Sequence, residues 1–172
     1  MLIDALRLAL QPDTPTAAAS NAQRLASELE NSAGTWHLGR GTYFLANPVP
    51  MISNFSGALG FSPGASLVFT NPNARGLEFV GGENAYFLNV RASFDPMPSR
   101  RVDSREAVAV YGAVRPRWER FVLHGSAAAG LLHCNCERPV VIDAVVSHTR
   151  ADGVHFCNSI EPEARGIRTN MV

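Results

Sequence analysis

The sequence predicts an all-β stack of short repeated turns, and three observations lead there. Gly130-Leu131-Leu132-His133-Cys134-Asn135-Cys136 and Gly153-Val154-His155-Phe156-Cys157-Asn158-Ser159 are copies of each other, 23 residues apart. A fixed period of roughly 20 to 50 residues marks a repeat architecture, in which no single repeat can bury its own apolar face. From Trp36 onward the chain is a series of short apolar runs broken by Gly, Pro and Asn, the texture of brief strands. Helical periodicity is confined to one segment near the start.

Taken in order, residues 1–35 form an N-terminal segment and residues 36–172 the stacked rungs of a single domain. Met1-Leu2-Ile3-Asp4-Ala5-Leu6-Arg7 carries an acid and a base within its apolar stretch, unlike a signal peptide. Pro12 to Ala19 reads as a loop. Asn21 reads as the N-cap of a helix whose apolar face is Ala22, Leu25, Ala26 and Leu29, running through Glu30 and ended by Gly34. Trp36 to Leu45 is strand, turn and strand.

Further strands are expected at Leu67–Phe69, Leu77–Val80, Tyr86–Phe94, Ala107–Tyr111, Phe121–Leu123, Gly130–Cys136, Val140–Val146, Gly153–Cys157 and Gly166–Val172. Tyr86–Phe94 alternates most cleanly: Tyr86, Leu88, Val90, Ala92 and Phe94 face inward, and Phe87, Asn89, Arg91, Ser93 and Asp95 face outward. Its polar row offers Asn89 and Arg91 as ligand-binding candidates. Residues 95–106, with two prolines and dense charge, read as a loop projecting from the stack.

Composition bounds the chemistry. The 172 residues are 46% hydrophobic, and 15 Arg balance 15 acids with no Lys. Zero net charge gives no basis for nucleic-acid binding, and no apolar run reaches the roughly 18 residues of a membrane span. Cys134, Cys136 and Cys157 read as small apolar fillers, with Cys134 and Cys157 stacked in successive rungs. A disulfide between rungs is open to this pair, though geometrically demanding. Cys-Asn-Cys aims both thiols one way and supplies too few ligands for a metal site. Asn135 and Asn158, one period apart, suit an asparagine ladder inside a turn. His124, His133, His148 and His155 are spaced to share one flank.

A short helix followed by rungs of about 23 residues resembles the right-handed parallel β-helix of the pectate-lyase-like superfamily, from about Asn21 to Val172. Gly39-Arg40-Gly41-Thr42-Tyr43-Phe44-Leu45 is similar to the segment that opens that family's first rung. Arg150-Ala151-Asp152-Gly153-Val154-His155-Phe156 resembles the polygalacturonase (glycoside hydrolase family 28-like) segment Asn-Thr-Asp-Gly-Ile/Val-His-Ile/Phe, with Arg150 and Ala151 departing from it.

The resemblance implies that the helix caps the stack and that Asp152 and His155 are catalytic. It implies Asn89, Arg91, Arg100 and Arg150 near a polysaccharide, no cofactor, and a secreted, cell-surface or virion setting. The expected activity is hydrolysis or lyase cleavage of a glycan, possibly uronate-containing. The alternative is a non-catalytic, tailspike-like or adhesin-like rod that binds glycan. Gly166 to Val172 reads as mid-rung, so a C-terminal continuation or another chain, in an oligomer, is expected to cover the open end. The family's paired Gly-Asp-Asp is expected one rung later, so Asp152 lacks a second acid at the family's position.

Overall fold

The structure, a computed structural model, describes residues 5–171. Most of the N-terminal reading, Met1–Asp4, and the final Val172 lie outside the described residues.

Numbered in chain order, the strands build three parallel sheets. The seven-stranded sheet holds β1 (Leu6–Arg7), β2 (Thr35–Leu38), β5 (Ala58–Phe61), β8 (Tyr86–Leu88), β11 (Arg117–Glu119), β14 (Val140–Ile142) and β17 (Glu163–Arg165). The six-stranded sheet holds β3 (Gly41–Leu45), β6 (Ala65–Phe69), β9 (Arg91–Phe94), β12 (Val122–Ser126), β15 (Val145–Thr149) and β18 (Arg168–Met171). The five-stranded sheet holds β4 (Ile52–Ser53), β7 (Leu77–Val80), β10 (Val108–Tyr111), β13 (Leu131–Cys134) and β16 (Val154–Cys157). Each turn visits the sheets in the same order, giving a parallel β-solenoid of about six turns.

Inward side chains pile into one core. Phe87 lies face to face with Trp118, centroids 3.9 Å apart, and Phe79 meets Phe87 edge-on at 4.9 Å. Such ring pairs add about 0.5–1.5 kcal/mol beyond their area. A single rung could not bury these rings; neighbouring rungs do it together.

The corners explain the scattered Asn and Gly. Asn54, Gly81, Gly112, Asn135 and Asn158 leave the five-stranded sheet with φ between 48° and 60° for four of them and 70° for Gly81. Asn84, Arg115, Arg138 and Glu161 then enter the seven-stranded sheet with φ of 49–59°, and Asn89, Arg120, Asp143 and Gly166 leave it with φ of 54–63°. A left-handed residue turns the chain sharply while keeping the ladder: Gly112 N bonds Cys134 O at 3.0 Å and Asn135 N bonds Cys157 O at 2.8 Å. Arginine accepts the strained conformation where its neighbour one turn away holds it, Arg115 Nε on Asn84 Oδ1 at 2.8 Å and Arg120 Nε on Asn89 Oδ1 at 2.6 Å.

These corners correct three readings. Tyr86–Phe94 is two strands, because left-handed Asn89 resets the alternation: Phe87, Val90, Ala92 and Phe94 are buried, while Tyr86 and Leu88 are half-buried. Asn135 and Asn158 are exposed corner residues, so they form no buried amide ladder. Left-handed Asn135 also separates the thiols of Cys-Asn-Cys: Cys136 is buried in the core and Cys134 lies half-buried on the outer face.

The helix α1 (Ala18–Leu29) starts earlier than predicted, after a 3-10 turn at Pro15–Ala17. Pro15 supplies the fixed φ of a first helical turn. Asn21 is therefore no cap. Its buried amide accepts from Gln11 N at 2.8 Å and donates to Gln11 O and Phe44 O at 3.0 and 3.2 Å. Ala22, Leu25, Ala26 and Leu29 join Leu38, Tyr43, Leu45 and Ile52 in the core. The helix ends at Leu29, and left-handed Asn31, rather than Gly34, turns the chain away.

Candidate functional site

The outer face of the five-stranded sheet collects the chemistry. Register places Glu78, Ala109, Leu132 and His155 in one outward row and Val80, Tyr111, Cys134 and Cys157 in the next. The inward row Phe79, Val110, His133 and Phe156 alternates with them, so Val154 and Phe156 face the core and His155 faces out.

A third column forms one wall. Gly76 N bonds Glu106 O, Ala107 N bonds Ala129 O, and Gly130 N bonds Asp152 O, at 3.1, 3.2 and 2.9 Å. Glu106, Ala129 and Asp152 thus hold one place on three successive rungs. Asp152 Oδ2 lies 2.6 Å from His155 Nδ1. With Nδ1 occupied, Nε2 is the nitrogen left to meet a ligand. Glu106, Asp103, Ser104 and Arg101 from the loop join Asp152 and His155 around a cleft of about 260 Å³.

The far end of the wall is held by Arg75. Its Nε donates to Glu106 Oε2 at 3.1 Å, another nitrogen donates to Glu78, and its guanidinium lies 5.5 Å from the centre of the Tyr111 ring. Burial works against the Arg75 charge, but the Glu78 hydrogen bond and the charges of Glu78, Tyr111 and Glu106 raise its pKa above the ordinary value. Burial pushes the Tyr111 phenol up; Arg75 opposes this and Glu106 and Glu78 add to it.

The predicted site residues divide. Asp152 and His155 are brought together. Arg150 donates Nε and a terminal nitrogen to Pro98 O at 3.2 and 3.0 Å, fastening the loop to the rung beside Asp152. Arg100 is exposed on that loop. The loop projects only in part, since Pro98 is buried and Met97 packs on the core. Asn89 lies at the corner between the other two sheets, and exposed Arg91 lies in the six-stranded sheet, so neither joins Asp152. The histidines do not share a flank: His124 and His148 neighbour each other by the six-stranded sheet with centroids 4.4 Å apart, and His133 is inside the core.

Glu106 was missed, although its signal is in the numbering: it precedes Asp152 by 46 residues, two periods of 23. Arg75 escaped because the loop lengthens its own turn.

A larger hollow, about 770 Å³, lies on the seven-stranded sheet among Tyr86, Arg117, Arg138 and Glu163. Its charges are spent on one another: Arg117 pairs with Glu119, Arg138 with Glu161 and Arg165 with Glu163. Tyr86 donates to Glu119 at 2.7 Å; this bond first, then Arg117, hold the Glu119 carboxyl below its usual range. The smaller cleft carries the acid–imidazole pair and is the better candidate.

No protein-family model matches the chain, and no curated protein matches it. Among solved structures it is similar to a "putative glycosyl hydrolase" from Parabacteroides merdae, with a TM-score of 0.56, 13% identity, and coverage of 98% of this chain and 95% of that one. At that identity the likeness concerns the fold, which both chains share over nearly their whole length.

Proposed function

We propose that this chain is a carbohydrate-active β-solenoid that hydrolyses a polysaccharide along the five-stranded sheet, with Asp152, His155 and Glu106 as its catalytic residues. The observation that carries the reading is the shared column: Glu106 and Asp152 stand two rungs apart on one wall, with Ala129 between them leaving room for substrate. The resemblance of Asp152-Gly153-Val154-His155 to a polygalacturonase segment and the description of the structural neighbour both support it.

Glycoside hydrolysis needs one group to protonate the leaving oxygen and another to activate water. The Asp152–His155 pair, 2.6 Å apart, is the donor. Glu106, positioned by Arg75, is the base. Two rung spacings separate their backbones by about 10 Å. Arg75 holds the Glu106 carboxylate on the side away from Asp152, so the pair is set too wide for direct attack by a carboxylate; water is then the nucleophile and the anomeric configuration is inverted.

The test is incubation with a panel of neutral and uronate-containing polysaccharides, following reducing ends and unsaturated products separately. Reducing ends that fall at least 100-fold in both Asp152→Asn and Glu106→Gln support the reading. Unaltered release in Asp152→Asn overturns it. Glycan retention without any product favours the non-catalytic rod.

A further inference from the structure

Cys134 and Cys157 are direct partners across neighbouring parallel strands, on the outer face, and both are half-buried. In-register neighbours in a parallel ladder lie about 4.8 Å apart, inside the roughly 4.4–6.8 Å Cα window of a disulfide. The Cys157 thiol is near enough to perturb the ionisation of Cys134, and Cys157 lines the cleft. Cys136, two residues from Cys134, is buried, with Sγ against Val110 O at 3.5 Å. Cys134 thus lies on the outer face beside Cys157, while Cys136, past the corner at Asn135, is sealed in the core.

We infer that Cys134 and Cys157 form a redox-sensitive dithiol, which a small-molecule disulfide closes into a bond between rungs beside the cleft. The chemistry is thiol–disulfide exchange. Burial first, and then the neighbouring Cys157 thiol, push the Cys134 thiol up to about 11, and Cys157, which lines the cleft, is placed to make the first attack. Its sulfur displaces one small thiol and forms a mixed disulfide. Cys134 then displaces the second small thiol. Two S–H bonds are lost, one S–S bond forms, and the two electrons and two protons leave on the two small thiols. The bond closes the 23-residue turn between them and ties β13 to β16.

The experiment treats the native chain with oxidised glutathione, then blocks free thiols and reads intact and peptide masses. The expected product lacks two hydrogens, links the Cys134 and Cys157 peptides, and melts higher by roughly 5 °C or more. It persists in Cys136→Ser and vanishes in Cys134→Ser. Phenylarsine oxide, which bridges two adjacent thiols, protects both residues from alkylation in the wild type and fails to do so in Cys157→Ser. A linkage through Cys136, or stable glutathione adducts on both residues without closure, overturns the inference. Loss of polysaccharide cleavage does not bear on it, since the thiols have no part in that reaction.

Discussion

The two copies that reveal the repeat differ most in where they put histidine. In Gly130–Cys136 the fourth residue is His133; in Gly153–Ser159 the third is His155. One step along a strand reverses the face. His133 is 0% exposed, stacks on Phe156 with centroids 5.4 Å apart, and has neither ring nitrogen hydrogen-bonded among the described residues. His155 stands outside, bonded to Asp152. The same residue is a packing element in one copy and a chemical group in the next. What separates them is the pleat, and histidine content alone predicts neither.

Four experiments break or sharpen that contrast. The largest effect is expected from His155→Leu, which makes the second copy match Leu132 of the first. Cleavage should fall about 100-fold with the melting temperature unchanged. A matching loss of folded protein would mean His155 is structural after all.

The next is a pH dependence set by His133. Burial depresses its pKa to about 3, from an ordinary 6.5. Between those values the unfolded chain binds more protons than the folded one. Stability is therefore complete above about pH 6.5 and is lost as pH falls toward 3, by up to about 1.4 kcal/mol per unit. Denaturant titrations from pH 7 to 5 should show this slope, and His133→Leu should flatten it.

A smaller difference concerns depth. Phe79→Ala, at a fully packed position, should cost about 3–5 kcal/mol. Phe156→Ala, in the same inward row but half-exposed, should cost about 1 kcal/mol less by chemical denaturation. The smallest effect is expected at the corners. Asn135→Ala and Asn158→Ala should each cost about 1 kcal/mol because alanine resists φ near 50°, and the Gly variants should be close to neutral.

Much of this was legible because a parallel stack translates sequence period directly into contact. The 23-residue spacing put Cys134 over Cys157. The failures share a cause. A left-handed residue rotates everything after it, so alternation read straight through Asn89 or Asn135 assigns the wrong face beyond it. Asn21 looked like a cap because its type suits one; its buried amide instead closes bonds to Gln11 and Phe44, distant partners that no local pattern announces. Glu106 hid behind the residues inserted ahead of it, which broke the visual rhythm while leaving its spacing to Asp152 intact.

Two of the three corners have fixed lengths in the later turns. Five residues always join the five- to the seven-stranded sheet (81–85, 112–116, 135–139, 158–162), and two always join the seven- to the six-stranded sheet (89–90, 120–121, 143–144, 166–167). The third varies, from four residues at 127–130 to thirteen at 95–107. Any lengthening there leaves the rungs above and below in step. The solenoid thus behaves as a chassis with one open port per turn, and the segment that walls the cleft is plugged into such a port. Segments of different length can be fitted at that edge while the two fixed corners keep the frame in register.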